Sequence, residues 1–229
     1  MRLPGPIERQ WRRWFGRYEI DDPRPIAEGA PYTYFLPGEN ELLALAPGDL
    51  AKIVFRSIPP GRIWQAERMW VAITSVDRDW LTGTLDNHPS DMPQLEAGDV
   101  VKFRRSDVID IIWDEARMTP PPPAAQRREY WERCLVDRCV VDDGVKVDYI
   151  YREEPDMADP DDSYPDSGWR IRGDDRNATD AELDDRKAEY IALGVVLNRD
   201  DGWLHLIDAP VGARFRRNWE TGLFEACAD

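Results

Sequence analysis

Met69-Trp-Val-Ala-Ile-Thr-Ser75 and Trp80-Leu-Thr-Gly-Thr-Leu85, joined by the polar turn Asp77-Arg-Asp79, decide the reading of the first half of this chain. β-Branched and aromatic residues fill both runs, and the turn between them is too short for anything but an antiparallel hairpin. Working outward, Ala46-Pro-Gly-Asp49 is a turn ahead of Leu50-Ala-Lys-Ile-Val-Phe55. Glu96-Ala-Gly-Asp99 is another, ahead of Val100-Val-Lys-Phe-Arg104, and Val108 to Trp113 closes the series. Short strands at this spacing across residues 32–115 predict a small curled sheet or barrel.

Upstream, Ile7, Trp11, Trp14, Phe15 and Tyr18 fall on one stripe of a helix running from Ile7 to Tyr18, with Arg9, Arg12, Arg13 and Arg17 mostly opposite. Such a helix docks on its own domain, where the acidic remainder of the chain offers a partner for its arginines, or lies on a membrane surface; the first reading is the expectation, with Pro23 and Pro25 ending the helix. Downstream, Thr119-Pro-Pro-Pro-Pro123 cannot continue a strand and marks a boundary. The expected organisation is a β-rich domain over residues 1–118, a proline-rich linker over 119–126 and an acidic α+β domain over 127–229. A helix is predicted from Ala124 to Leu135. A hairpin follows, Cys139-Val-Val141 and Val145 to Tyr151 around Asp142-Asp-Gly144. Thr179 and Glu182 form a capping box for a helix to about Leu193. Val195-Val-Leu197 and Trp203 to Ile207 form a second hairpin around Asp200-Asp-Gly202. The fold class expected is therefore α+β: two small domains, each a strongly bent, mainly antiparallel sheet with one or two helices, the first barrel-like.

The formal charge is −15 over 229 residues. Residues 1–118 hold 15 Lys/Arg against 19 Asp/Glu, and residues 119–229 hold 15 against 26, so the acidity sits in the second half. Such a field repels nucleic acid and anionic lipid and attracts basic partners. Neither nucleic acid nor membrane is expected as a partner. Cys134, Cys139 and Cys227 form no metal spacing and no even disulfide framework, which suits a reducing compartment. No apolar run approaches the ~20 residues of a membrane span, and no signal-peptide core follows the N-terminal arginines. A cytoplasmic location is expected.

The catalytic inventory is thin. Two histidines, His88 and His205, are the only ones in the chain. His88 in Asn87-His-Pro89 reads as a turn residue, and His205 as a strand residue facing away from Leu204 and Leu206. Asp156, Asp159, Asp161 and Asp162 have part of the spacing of a calcium loop, without its central glycine or closing glutamate. No phosphate-binding loop or serine elbow is present. No cofactor, metal or catalytic residue is expected.

Residues Tyr149-Ile-Tyr-Arg-Glu-Glu-Pro155, Asp166-Ser-Gly-Trp-Arg170 and Gly173-Asp174 pair an aromatic strand with a turn that holds a tryptophan, an arginine and carboxylates. Tryptophan and arginine are the side chains that most often anchor protein interfaces, and flanking carboxylates steer a basic partner. The candidate partner-binding residues are Tyr151, Asp156, Asp159, Asp161, Asp162, Asp166, Trp169, Arg170 and Asp174. The competing reading is structural: Trp169 covers the sheet, and Arg170 pairs with Asp166 or Asp174.

With Asp208-Ala-Pro-Val-Gly212 and Phe215, these motifs make the segment from about Leu135 to Phe224 resemble the family catalogued as domain of unknown function 2185, grouped with immunity protein family thirty-three of bacterial polymorphic toxin systems. Two departures stand out: Arg176-Asn-Ala interrupts the acidic segment after Gly173-Asp174, and the loop before Asp166 is long. Glu67-Arg-Met-Trp-Val71, Leu81-Thr-Gly-Thr-Leu-Asp-Asn87 with Pro89, and Leu95-Glu-Ala-Gly-Asp-Val-Val101 make the segment from about Ala46 to Glu115 similar to a second family, domain of unknown function 2314. That family often ends in an Asp-Trp pair, where this chain has Asp110-Ile-Ile-Trp113. Neither resemblance implies an enzymatic mechanism. The first implies neutralisation of a toxin by a protein that binds it. The alternatives are a hydrolase built on His88, which requires a concave pocket and at least two perturbed titratable groups, and a regulatory module acting as a homodimer.

Overall fold

A computed structural model describes residues 5–157 and 161–227. It divides into two compact units, one of residues 1–28 and 35–127, the other of residues 29–34 and 128–229. The chain thus passes between units at 28–29, 34–35 and 127–128.

The first unit contains α1 (Gly5–Phe15), β1 (Arg17–Ile20), most of α2 (Arg24–Gly29), α3 (Glu39–Ala44), β2 (Leu50–Ile58), β3 (Ala66–Asp77), β4 (Trp80–Leu85), β5 (Val100–Arg104) and β6 (Val108–Ile112). The strands run β1-β2-β3-β4-β5, all antiparallel, and β6 returns to pair with β2. One helical turn, Arg105–Asp107, links the far edge strand β5 to β6 and so nearly closes the sheet into the expected barrel. Alternation places Met69, Val71 and Ile73 of β3, Leu81 and Leu85 of β4, and Val101 and Phe103 of β5 inside. Each such side chain contributes roughly 1.5–3 kcal/mol on burial. The Ala46–Asp49 turn uses Gly48 at φ +99°, and the buried Asp49 carboxylate accepts from the amides of Ala46 (2.9 Å) and Asp114 (3.0 Å) and pairs with Arg117.

The N-terminal helix departs from expectation. It ends at Phe15, before either proline, and Tyr18 belongs to β1. Its inward residue is Arg12, 2% exposed, whose guanidinium donates to the Asp91 carboxylate (3.1 Å) and the Ser57 hydroxyl (2.9 Å). Asp91 also accepts from the amides of Ile63 (2.6 Å) and Trp64 (3.1 Å). A directed set of oxygen acceptors takes the arginine inward, and the aromatic stripe faces out. The helix thus docks on its own domain with carboxylates as partners for its arginines, as expected.

The second unit contains β7 (Arg133–Asp137), α4 (Arg138–Asp142), β8 (Val147–Arg152), β9 (Asp166–Gly173), α5 (Asp180–Asp184), β10 (Ala188–Ala192), α6 (Leu193–Leu197), a helical turn at Leu204–Leu206, β11 (Arg214–Arg217) and β12 (Phe224–Ala226). The sheet order is β10-β7-β9-β8-β11-β12, with only the β7–β9 pair parallel. One face packs Val136, Ile150, Trp169 and Ile171 against Val140 of α4, Leu193, Val196 and Leu197 of α6, and Trp203. The segment 29–34 joins this unit: the Tyr32 amide donates to Asn198 (2.9 Å), its hydroxyl to Asp201 (2.7 Å), and Asn198 donates to the Thr33 hydroxyl (2.7 Å).

Four local expectations fail here. Residues 124–132 form no helix: the Tyr130 and Glu132 carbonyls instead accept from Gly194 and Leu193, which holds the segment extended before β7. Cys139–Val141 is helical, because one helical turn seats Val140 in the core before Gly144 reverses the chain. The capping box at Thr179 and Glu182 is present, but its helix stops at Asp184 and Ala188–Ala192 pairs with β7. Residues 195–197 and 204–206 are helical, so there is no second hairpin and His205 sits exposed on a helical turn. At Cys139–Val141, 195–197 and 204–206 a short apolar run fits a buried strand or a buried helical turn equally well, and packing decides.

Candidate functional site

The face of the second sheet opposite its core carries the candidate site. In β8, Ile150 points into the core while Tyr149 and Tyr151 point away, as strand alternation requires. Their rings stack at 5.4 Å with an interplanar angle of 27°. Register brings arginines beside them: Arg172 of β9 and Arg216 of β11 lie opposite Tyr149, and Arg214 of β11 lies opposite Tyr151. Arg172 bonds Asp137 (2.8 Å). Arg216 lies 5.5 Å from the Tyr149 ring and pairs with Asp148 (3.4 Å) and Asp175 (3.7 Å). Arg214 is exposed and forms no side-chain hydrogen bond or ion pair among the described residues. Tyr149, Tyr151, Arg172 and Arg214 border an open cleft of about 640 Å³, whose other wall is the start of the acidic loop, Glu153, Glu154 and Asp156.

That loop is fixed from beneath. Arg170 is buried, and its guanidinium donates to Glu153 (3.1 Å), Asp156 (2.9 Å) and both oxygens of Asp166 (3.1 Å each). Asp166, whose side chain is fully buried, also accepts from the amides of Gly168 (2.9 Å), Asp156 (3.2 Å) and Met157 (3.2 Å). Burial pushes the Asp166 carboxyl up, but Arg170 and the amides of Gly168 and Met157 more than offset this and hold it below the usual carboxylate value. Gly168 has φ +78°, and a Cβ there would lie 2.1 Å from the Glu153 carbonyl, so the turn admits only glycine. Arg152 braces the other side, donating to the carbonyls of Ser167 (3.0 Å) and Ala209 (2.7 Å).

The expected partner-binding residues therefore divide. Tyr151 and Asp156 line the cleft, and Asp161 and Asp162 are exposed further along the same loop. Asp159 lies outside the described residues. Asp166 and Arg170 are buried and hold the loop in place. Trp169 is not a surface anchor: it is 0% exposed, its indole donates to the Ile207 carbonyl (3.1 Å), and its ring packs at 5.6 Å on Trp203. The central strand position of β9 drives it inward, which is the structural reading that was set against the anchor. Asp174 stands past the opposite end of β9, paired with Arg176 (2.8 Å), whose guanidinium lies 3.6 Å from the Trp219 ring. Tyr149, Glu154, Arg172, Arg214 and Arg216 were missed. For the four strand residues the signal was the i, i+2 alternation of β8, β9 and β11, visible only once the strands are paired.

In the first unit His88 is exposed at the edge of an open cleft of about 810 Å³ shared with Arg9, Arg13, Trp14 and Glu96. The nearby Asp91 is committed to Arg12 and the loop amides. Among the described residues, no carboxylate hydrogen-bonds the His88 ring, no group of three His, Cys, Asp or Glu side chains is placed to hold a metal ion, and no helix is long and apolar enough to cross a membrane.

Residues 134–227 match the family model described as the immunity protein Imm33 domain, and residues 48–119 match the model of an uncharacterized protein conserved in bacteria, DUF2314. Both expected resemblances are thus found; the first stands under its immunity designation rather than the number 2185. The match supports a toxin-immunity role in general terms and implies a protein partner. Comparison with curated proteins and with solved structures yields no match.

Proposed function

We propose that the second unit neutralises a toxin by stoichiometric occlusion, with its open sheet face and acidic loop as the contact surface and no bond chemistry of its own. The observation that supports this reading is a pre-set rim. The carboxylates of Glu153 and Asp156 are held by buried Arg170 next to a stacked tyrosine pair, so little ordering entropy is lost on binding. Tyr149 and Tyr151 supply rigid apolar area, and Glu154, Asp161 and Asp162 supply the field that steers a basic surface such as the substrate groove of a nuclease. Three free thiols suit action in a reducing compartment.

The test is co-expression with the gene neighbouring this one, followed by calorimetry on the purified pair. Tyr151→Ala is expected to weaken the complex by about 1–3 kcal/mol. Charge reversal at Glu154, Asp161 and Asp162 is expected to slow association and flatten its salt dependence. A complex unchanged by both sets of variants rejects this surface; a neighbouring toxin that is neutralised catalytically, with turnover, rejects occlusion.

A further inference from the structure

The aromatic face of α1 is left unused by the fold. Ile7 is 57% exposed, Trp14 73% and Phe15 68%, and Trp11, which packs on Phe15 at 5.9 Å, is also exposed. On a helix of 3.6 residues per turn these four positions form one continuous stripe. Asp91 extends it: the carboxylate that holds Arg12 also accepts the amides of Ile63 and Trp64, fixing beside the helix a loop whose two side chains are 74% and 56% exposed. Four large apolar side chains of the helix therefore form an outward stripe, and two more are exposed on the adjoining loop. Isolated exposed apolar residues are ordinary, but a contiguous group of this kind marks a docking surface.

We propose that this surface lies on a bilayer containing anionic lipid, as a peripheral contact that does not span it. Charge complementarity selects the occupant. Arg9, Arg13 and Arg17 are exposed along the same segment, whose only acidic residue is Glu8, and Arg62 stands beside Ile63. Glu8 pairs with Arg62 (3.2 Å) and Arg13 with Glu96, which leaves Arg9 and Arg17 without a carboxylate partner among the described residues. Tryptophan and phenylalanine on one side of a helix with arginines on the other are the composition of helices that settle at the headgroup boundary. The face is the convex side of a single helix, which suits a deformable surface. Because Arg12 ties the opposite side of the helix to Ser57 and Asp91, the helix needs no separate folding step on arrival. The net charge of −15 opposes the contact, so the attachment is weak, reversible and sensitive to salt.

The experiment is flotation of the full-length protein with vesicles of phosphatidylcholine alone, and of phosphatidylcholine with about one-third phosphatidylglycerol, at low and physiological salt. Binding to the anionic vesicles is expected, at least about tenfold weaker on the neutral ones. The double variant Trp14→Asp/Phe15→Asp is expected to lose it by a similar factor, Arg9→Glu in part, and Tyr151→Ala not at all. Arg9, Trp14 and Phe15 are exposed and Tyr151 is half-buried on an open sheet face, so circular dichroism should match the wild type in every variant. Absence of binding to either vesicle overturns the proposal. Vesicle binding that survives the double variant also overturns it. A concentration-dependent dimer in light scattering that the double variant abolishes, without vesicle binding, assigns the face to a second copy instead.

Discussion

Replacing Arg170 with methionine keeps an apolar stem in place of the arginine's methylenes and removes the guanidinium and its charge. In the structure this leaves Asp166 buried with three amide donors but no counter-charge, and releases Glu153 and Asp156. Removing one partner of a buried ion pair costs about 3–5 kcal/mol. The remaining amide donors place Asp166 near the low end, and the contributions of Glu153 and Asp156, 52% and 75% exposed, are small. A loss of about 3 kcal/mol is expected, confined to the second unit. Amide exchange read by mass spectrometry separates the units: peptides over 147–157 and 166–173 should lose protection, while those of the barrel keep theirs. The pH dependence follows from the lowered carboxyl of Asp166. Its pairing stabilises the wild type fully above the unfolded value of about 3.9 and is lost as pH falls through the lower folded value. The gap between wild type and variant should therefore be widest near neutrality and narrow in acid. A deficit under about 1 kcal/mol, or one that does not shrink on acidification, refutes the account of Arg170 as the loop's anchor.

Trp169→Ala should cost about 3–5 kcal/mol, measured by urea unfolding of the second unit, because it empties a fully buried site; a mild effect would return Trp169 to the surface. Gly168→Ala should destabilise by more than 1 kcal/mol, roughly, and raise exchange at Glu153, since a Cβ meets the Glu153 carbonyl and the φ is positive. Burial pushes the Cys134 thiol far above its ordinary value, so native protein at pH 8 should be alkylated at exposed Cys227 and spared at Cys134, as read by peptide mass. Arg12→Met should release α1, with protection lost over residues 7–15 and the barrel strands unchanged; retained protection would mean that another contact holds the helix.

The barrel was legible because its signals are local and mutually consistent. Alternation in Met69–Ser75, the tight Asp77–Asp79 turn and the two Gly-Asp turns all point the same way. The second unit was less legible, since Val140, Val196 and Leu197 carry the same apolar signal in a helical turn as in a strand. The candidate loop was found from its carboxylates, but the inward rotation of Trp169 and the outward Tyr149–Arg172–Arg216 row depend on strand order, which residue spacing does not encode. Arg12 shows the limit most plainly. Hydrophobic periodicity located the helix correctly, and the choice of which side faced inward was made by Asp91, seventy-nine positions away.

Residues 29–34 carry a consequence for the order of synthesis. Tyr32 and Thr33 leave the ribosome before any barrel strand after β1, yet their partners Asn198 and Asp201 follow 165 to 169 positions later. The second unit stays incomplete until β11 and β12 have been made, while the barrel can close once β6 has emerged. A fragment cut at residue 134 to match the immunity family would lack this early strap and leave Asn198 facing water, so a soluble excised domain should be built with residues 29–34 restored by circular permutation or a linker.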